Sequence, residues 1–241
     1  IGRRNNNLQW YKIPPKIYFE PNAIRYLSEM EGLERVMIVT DESMVKLGFA
    51  ARVIDQLNPR KNKVQYEVFA GVEPNPDITT VKRGLDIMNT FKPNAIVALG
   101  GGSPMDAAKI MWLFYERPDA DFTELVQKFA DIRKRTVKYP HLGQKAKFIA
   151  VPTTSGTGSE VTPFAVISDK ENDKKYPLAD YAITPHVAIV DPVLVQTVPA
   201  RPTASTGMDV LTHATEAYTS ILANDYTDGL ALRAIKLVFE N

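Results

Sequence analysis

The sequence contains no cysteine among its 241 residues. This absence excludes disulfide bonds, cysteine-ligated zinc and a cysteine nucleophile from the chain. Long apolar runs are absent as well, since no stretch approaches the roughly 20 residues that a membrane-spanning helix needs. The first residues, 1–7, lack the apolar centre of a signal peptide and are typical of a linker. We therefore expect a cytoplasmic protein without a membrane partner.

Neither sign of charge dominates, because 29 lysines and arginines face 28 aspartates and glutamates, for a formal net charge of +1. This balance offers no electrostatic footprint for nucleic acid. With 44% hydrophobic residues the chain can bury a core. One local basic run is typical of a solvated face, with contact to an acidic neighbour as the alternative; it comprises Arg133, Lys134, Arg135, Lys138, Lys145 and Lys147.

Short apolar segments bounded by glycine or proline alternate with longer amphipathic segments through most of the chain. This order is typical of an α/β fold with a parallel sheet, and the continuous apolar character indicates strands covered on both faces. Strands are predicted at 17–19, 35–40, 64–69, 95–99, 147–151 and 187–190. Helices are predicted at 43–58, 77–92 and 104–116, and a further strand at 164–167 precedes a predicted loop from Ser168 to Lys175.

The pattern changes after Pro199, where two helical segments, 202–218 and 225–239, follow without a strand between them. We predict a first domain over 1–195, with a linker-like start at 1–12, and the beginning of a helical domain over 196–241. Two helices cannot bury a full core of their own. We therefore expect the chain to stop inside the second domain.

A glycine-rich segment follows the predicted strand at 95–99 and opens a helix; its glycines are Gly100, Gly101 and Gly102. Ser103 is predicted as the N-cap of that helix and Pro104 as its first residue. Glycine amides and a helix N-terminus suit the pyrophosphate of a cofactor, and an ordinary tight turn is the alternative. Asp106 is predicted either as a cap or as a contact with cofactor hydroxyls.

Two further loops follow predicted strands. Asp41 comes directly after the second strand, at the end where parallel sheets place ligand contacts. Its carboxylate suits a ribose and repels a 2'-phosphate, which favours NAD over NADP, while a helix N-cap is an equally good interpretation. The loop 152–160 is rich in threonine, serine and glycine and suits a diphosphate or a nicotinamide ribose, although such a loop is more often a simple turn.

Asp209 and His213 stand four residues apart in a predicted helix. A helix advances about 3.6 residues per turn, so both side chains project from one face and can grip one cation. A catalytic metal site usually has three or more protein ligands, and the other two histidines, His141 and His186, lie in loop-like stretches typical of surface residues. The pair is an even choice between half of a metal site and an ordinary exposed helix pair.

Three segments occur in order: residues 100–109, the loop 153–160, and the stretch from Asp191 to Glu216. Together they resemble the iron-containing (group III) alcohol dehydrogenases. The opening segment 10–19 further resembles the C-terminal alcohol dehydrogenase half of the bacterial bifunctional aldehyde-alcohol dehydrogenases. The resemblance covers essentially the whole chain, and its motifs are specific in combination.

The resemblance implies a Rossmann-like α/β dinucleotide-binding domain followed by an all-helical metal-binding domain, the dehydroquinate synthase-like architecture. It implies NAD and a ferrous ion as cofactors, with zinc as a possible replacement. Asp209 and His213 match the first two metal ligands, and two further histidines are expected beyond the end of the chain. The implied cofactor-binding residues are Asp41, Asn75, Gly100, Gly101, Gly102, Ser103, Asp106, Thr153, Thr154, Thr157 and Lys175.

The implied reaction is reversible hydride transfer between NAD(H) and a short-chain primary alcohol or aldehyde, with ethanol and acetaldehyde first. The metal ion lowers the pKa of the alcohol hydroxyl so that hydride can leave the carbon for the nicotinamide. We expect the protein to form a homo-oligomer. We also expect this chain to be part of a larger bifunctional polypeptide. The alternatives are a zinc-dependent enzyme of the same fold, such as a glycerol dehydrogenase, and a structural module of a larger oligomer.

Overall fold

The structure is a computed structural model that describes residues 11–120, 141–170 and 173–241. Its strands are β1 (Lys16–Phe19), β2 (Arg35–Val39), β3 (Gln65–Phe69), β4 (Ala95–Gly100), β5 (Lys147–Pro152), β6 (Phe164–Asp169), β7 (Lys174–Ala179) and β8 (Val187–Val190). Six of them form one sheet in the order β1-β8-β5-β4-β2-β3, and every pair in it is parallel. The predicted parallel α/β fold is confirmed.

The sheet is buried because successive residues of its central strands enter cores on opposite faces. In β2, Met37 and Val39 belong to the core on one face, whereas Val36 and Ile38 belong to the core on the other. The strands β2, β4 and β5 repeat this alternation. A sheet buried on both faces leaves its strand ends, and the loops after them, as the places where a ligand can enter.

The α-helices in the described part of the chain are α1 (Tyr26–Glu29), α2 (Glu42–Lys46), α3 (Phe49–Leu57), α4 (Ile78–Phe91), α5 (Gly102–Glu116), α6 (Ala200–Thr219) and α7 (Asp225–Glu240). The single helix predicted over 43–58 is wrong. Gly48 has a φ of 77° and divides the segment into α2 and α3. A left-handed residue ends a helix, and glycine adopts that conformation without steric cost.

The predicted loop from Ser168 to Lys175 is also wrong at both ends. Ser168 lies in β6 and Lys175 in β7, and the two residues are partners in an antiparallel hairpin outside the main sheet. The lysines and Pro177 in β7 break the apolar pattern by which the parallel strands are recognised. A partly exposed hairpin strand does not require that pattern.

Two compact units make up the chain. One comprises Pro14–Thr154 and Gly158–Val198, and the other comprises Pro199–Asn241, Ser155–Thr157 and the described residues 11–13. The sequence placed the boundary between 195 and 196. Residues 1–10 of the predicted linker and the basic residues at 133–138 lie outside the described residues. Tyr11 stacks on Tyr226, with ring centroids 5.9 Å apart.

None of the described helices is long and apolar enough to cross a lipid bilayer.

Candidate functional site

A cavity of about 560 Å³ opens where β2, β3, β4 and β5 end. Each of these parallel strands contributes the residues that directly follow it, as the rule for ligand sites in such sheets predicts. The lining residues are Asp41, Glu42, Ser43, Met44, Ala70, Gly71, Val72, Glu73, Pro74, Arg83, Gly101, Gly102, Ser103, Pro104, Thr153 and Thr154. The sequence therefore identified six of the lining residues from loops that are far apart in the chain.

Gly100 supports this cavity through its backbone conformation. Its φ is 140°, and a Cβ on it would lie 2.7 Å from Cγ of Pro104. Both the conformation and the close approach exclude a side chain, so only glycine fits this position. The tight turn brings the first residues of α5 to the end of β4, where Gly101 and Gly102 line the cavity.

The predicted N-cap at Ser103 is wrong. Helix α5 begins at Gly102, and its N-cap is Gly101, which has an extended conformation and no side-chain cap. Ser103 is therefore the second residue of the helix, and it lines the cavity. Pro104 is the third residue of the helix rather than the predicted first. It is tolerated there because amides of the first helical turn have no partner within the helix. The same lack of partners leaves these amides available to an anion.

Asp41 is the N-cap that its sequence position allowed, and its binding of a ribose stays a prediction. Its Oδ1 accepts a hydrogen bond from the amide of Met44 at 3.0 Å, so it is the N-cap of α2. Its Oδ2 lies 3.5 Å from the point that a Cβ on Gly100 would occupy. One oxygen thus caps a helix while the other faces the glycine turn at the cavity wall.

Thr153 and Thr154 form the wall contributed by β5. The amide of Thr153 donates to the carbonyl of Gly100 at 3.0 Å, which fixes the end of β5 to the glycine turn. The hydroxyl of Thr154 lies 3.4 Å from the point that a Cβ on Gly101 would occupy. The two segments that the sequence singled out are therefore in direct contact.

Asp106 does not cap α5, so that part of its prediction is wrong. Its Oδ1 accepts from the hydroxyl of Ser159 at 2.8 Å, and its Oδ2 accepts from the amide of Val166 at 3.0 Å. Burial raises the pKa of Asp106, while the ammonium group of Lys109 opposes that shift. Both carboxylate oxygens are thus used in hydrogen bonds to the segment that follows β5.

Three other predicted cofactor residues are not among those that line the cavity in the described part of the chain. Asn75 is exposed and has a left-handed φ of 54°, directly after the lining residue Pro74. Lys175 is exposed in the hairpin strand β7. Thr157 belongs to the compact unit that contains α6 and α7. Their roles stay predictions.

Sequence reasoning missed the contributions of the loop after β3 and of Arg83. The loop residues Ala70 to Pro74 line the cavity without any recognisable motif. Arg83 reaches the cavity from α4, where its guanidinium donates to the carbonyl of Gly71 at 3.2 Å and lies 3.9 Å from the carboxylate of Glu73. The carboxyl end of β3 was the available signal for the loop. Arg83 lies inside a helix and belongs to no motif, so the sequence gave no signal for its place in the cavity.

The two candidate metal ligands lie on one face of α6. Nε2 of His213 is 3.5 Å from Oδ1 of Asp209, and the side chains are 52% and 38% exposed. A carboxylate oxygen and an imidazole nitrogen at this separation suit a divalent transition metal or zinc. Among the residues the structure describes, no group of three or more potential ligands is present.

The other histidines have different surroundings. The sequence predicted that His141 and His186 are both surface residues, and His141 is indeed exposed. His186 is half-buried, so the expectation of a surface residue is wrong for it. Its Nδ1 accepts from the amide of Phe148 at 3.0 Å, and its ring packs edge-on against Trp112 at 5.2 Å. These contacts give His186 a structural role beside β5.

The sequence matches two family descriptions. Residues 14–192 match "Iron-containing alcohol dehydrogenase", and residues 203–241 match "Fe-containing alcohol dehydrogenase family, C-terminal". The first match covers most of the unit that holds the cavity, and the second contains Asp209 and His213.

Among curated relatives, the aldehyde-alcohol dehydrogenase of Streptococcus pneumoniae is 70% identical over 241 residues, which is 100% of this chain and 27% of that protein. The NADPH-dependent butanol dehydrogenase of Clostridium saccharobutylicum is 42% identical over 231 residues, covering 96% of this chain and 57% of that protein. The chain thus spans about a quarter of the first relative and little more than half of the second.

Two solved structures, an alcohol dehydrogenase and an aldehyde reductase, also resemble this chain. The iron-containing alcohol dehydrogenase from Thermococcus thioreducens superposes with a TM-score of 0.86 at 33% identity, covering 97% of this chain and 59% of that one. The sulfoacetaldehyde reductase from Bifidobacterium kashiwanohense, solved in complex with NAD+, has a TM-score of 0.83 at 34% identity, with coverages of 97% and 59%.

Proposed function

Because the chain belongs to the iron-containing alcohol dehydrogenase family, we propose that it forms part of an NAD-dependent alcohol dehydrogenase. The reaction is reversible hydride transfer between NAD(H) and a short-chain primary alcohol or aldehyde, with ethanol and acetaldehyde as the first substrates to test. The observation that carries the proposal is the cavity at the strand ends, whose walls are the glycine turn, Asp41 and Thr153–Thr154.

The cavity residues would hold the dinucleotide. The amides of Gly102 and Ser103 at the start of α5 bind the pyrophosphate, because they lack helix partners and carry the positive end of the helix dipole. Thr153 and Thr154 line the same space. Asp41 accepts hydrogen bonds from the adenosine ribose through the oxygen that does not cap α2.

Asp41 also supports NAD as the cofactor rather than NADP. A carboxylate at the ribose repels a 2'-phosphate. The relative from Clostridium saccharobutylicum is named NADPH-dependent, so the family includes both preferences. Measured dissociation constants for NADH and NADPH decide between them, and we expect NADH to bind more tightly.

Asp209 and His213 are the residues of this chain that would hold the metal ion, because their donor atoms suit ferrous iron and zinc alike. When bound, such an ion supplies a Lewis acid that polarises the substrate oxygen. The fold positions both side chains four residues apart on α6. We propose iron as the resident metal from the family, with zinc as the alternative for metal analysis to test.

The larger setting is also part of the proposal. The chain spans 27% of the aldehyde-alcohol dehydrogenase of Streptococcus pneumoniae, and we infer that it is the alcohol dehydrogenase part of a comparable bifunctional polypeptide. We expect a cytoplasmic homo-oligomer whose partners are small-molecule alcohols and aldehydes. Mass photometry of the full natural polypeptide tests the oligomeric state.

Anaerobic reconstitution tests the activity. The full natural polypeptide is loaded with ferrous ion or zinc, and NADH oxidation by acetaldehyde is followed alongside Asp209→Ala and His213→Ala. We expect metal-dependent turnover that falls by about a hundredfold or more in both variants, since each removes a metal ligand. A turnover rate that depends neither on the metal nor on the two substitutions would contradict the proposal.

A further inference from the structure

Lys109 is a fully buried lysine in the second turn of α5, with 0% of its surface exposed. Its ammonium group points towards the segment after β5 rather than to solvent. Nζ lies 2.7 Å from the carbonyl of Phe164, 2.8 Å from the carbonyl of Thr162, 3.2 Å from the hydroxyl of Ser159 and 3.5 Å from the hydroxyl of Thr162.

Asp106 approaches the same segment from one turn earlier. Ser159 donates its hydroxyl to Asp106 and also lies within hydrogen-bond distance of Lys109, so it joins the two charged side chains. The carboxylate of Glu160 is the other charged group that faces Lys109. Burying charges costs free energy unless they are paired and hydrogen-bonded. The hydrogen bonds of Lys109 and Asp106 that offset this cost are made with residues 159–166.

These contacts fix one end of the loop 154–158. The other end is fixed where the amide of Thr153 donates to the carbonyl of Gly100 at 3.0 Å. Both anchors of the loop therefore lie on the segment from Gly100 to Lys109. That segment also carries the glycine turn and the first residues of α5, which line the cavity.

We propose that Lys109 is a positioning residue of the cofactor site: together with Asp106 it holds residues 159–166 against α5, so that the cavity wall formed by Thr153 and Thr154 meets the dinucleotide preformed. Lys109 itself does not touch the cofactor. The inference rests on the proposed function, because it takes the ligand of the cavity to be a nicotinamide dinucleotide.

A role in stability alone is the competing explanation, and the same helix supplies the control for it. Glu116, at the other end of α5, is a buried carboxylate that accepts from the amides of Gln144, Lys145 and Ala146 at 3.2, 2.9 and 2.8 Å. It anchors a segment before β5 and has no contact with the loop 154–158 among its described hydrogen bonds. Glu116→Gln therefore perturbs a comparable buried anchor outside the cavity.

The test compares Lys109→Met with Glu116→Gln in the full natural polypeptide at neutral pH. NADH binding is measured by fluorescence titration, and KM for NADH and kcat are measured with acetaldehyde. We expect Lys109→Met to weaken NADH binding and raise KM by about tenfold while kcat stays within about twofold, because a loosened loop must be ordered on binding. Glu116→Gln should lower the melting temperature and leave the dissociation constant unchanged.

Two further variants keep the test decisive if Lys109→Met does not fold. Ser159→Ala removes only the hydroxyl that joins the two charges, and we expect it to weaken NADH binding by about threefold. Asp106→Asn combined with Lys109→Met removes both charges, and we expect its loss of affinity to be smaller than the product of the single losses, since the pair is coupled.

The outcomes separate the inference from the proposed function. If the wild type binds NADH and the Lys109→Met and Ser159→Ala variants bind it with the same affinity, the positioning role is overturned and the proposed function stands. Equal losses of affinity in Lys109→Met and Glu116→Gln would overturn it in favour of a stability role. Wild-type protein that does not bind NADH would overturn both.

Discussion

The two carboxylate oxygens of Asp41 have different surroundings at the cavity wall. Its Oδ1 caps α2 and its Oδ2 faces the glycine turn. The sequence presented capping and ribose binding as equal alternatives, whereas a carboxylate has an oxygen for each. An aspartate at this position is therefore expected both for capping and for the proposed ribose binding. A substitution is needed that removes one of these roles and keeps the other.

Asp41→Asn separates the two roles because asparagine caps helices as well as aspartate but carries no charge. We expect the stability of the protein to change little. The ratio of the dissociation constants for NADPH and NADH should fall by about tenfold, since the repulsion of the 2'-phosphate is removed. Asp41→Ala is the matched control, because it also removes the cap and should cost about 1 kcal/mol of stability. An unchanged cofactor ratio in Asp41→Asn would exclude ribose recognition by this carboxylate.

The buried charge of Lys109 makes a prediction for the dependence of stability on pH. Burial lowers the pKa of Lys109 from 10.5 to about 8, and the carboxylates of Asp106 and Glu160 oppose that shift. Between these two pKa values the unfolded chain binds a proton that the folded chain does not. The free energy of unfolding therefore gains a contribution that rises with pH in this window.

Urea unfolding of the wild type and Lys109→Met at pH 7, 8, 9 and 10 isolates this contribution. We expect the wild type to gain stability relative to the variant as the pH rises above about 8. Below that pH the difference should be constant, because Lys109 is protonated in both states. A difference that does not change across the range would mean that the folded-state pKa of Lys109 is not lowered.

At the scale of the elements, the parallel strands were predictable and the hairpin was not. β4 and β5 are buried on both faces, so their sequences are continuously apolar and mark their positions. In β7 the lysines are exposed and only the last residues are buried, so its sequence is indistinguishable from a loop. Gly48 shows an intermediate case, because its break between α2 and α3 depends on a backbone conformation that a glycine permits but does not require.

Asp191 links the edge strand β1 to its neighbour β8. Its buried carboxylate accepts from the amides of Asn22, Ile24 and Val193 at 2.9, 3.3 and 3.0 Å. The first two amides follow β1, and the third follows β8. This carboxylate thus fastens the end of β1, whose other side is the edge of the sheet.

Asp191→Ala should therefore loosen one edge of the sheet. Leaving buried amides without an acceptor costs about 1–3 kcal/mol, and we expect a loss of stability of that size. In hydrogen exchange the amides of Lys16–Phe19 should lose protection, while those of β4 keep theirs. Asp86→Ala on α4, an exposed aspartate, is the control and should change neither. Equal loss of protection in β1 and β4 would contradict a local role for Asp191.

For the whole molecule, the predicted site residues divide between two compact units. The cavity lies in the unit that contains the parallel sheet, and Asp209 and His213 lie in the unit that contains α6 and α7. The sequence identified residues in both because each set forms a local motif. It could not identify Arg83 or the loop after β3, because their place in the cavity depends on the sheet order that brings β3 beside β2.

This division predicts two separable responses to ligands in the full natural polypeptide. NADH should slow amide exchange in the cavity segments 41–44 and 101–104, with or without metal, since every residue lining the cavity belongs to one unit. Zinc, used as a probe that does not oxidise, should slow exchange in α6 around 209–213, because coordination fixes two side chains of one helical turn to the same ion.

Asp209→Ala is the variant that separates the two responses. It removes one donor of the candidate metal pair and no residue of the cavity, so the protection of α6 by zinc should disappear while the protection of 101–104 by NADH persists. Zinc protection that survives this substitution would assign the metal to other ligands. Loss of the NADH response in the same variant would mean that the cavity does not bind the cofactor independently of the metal site.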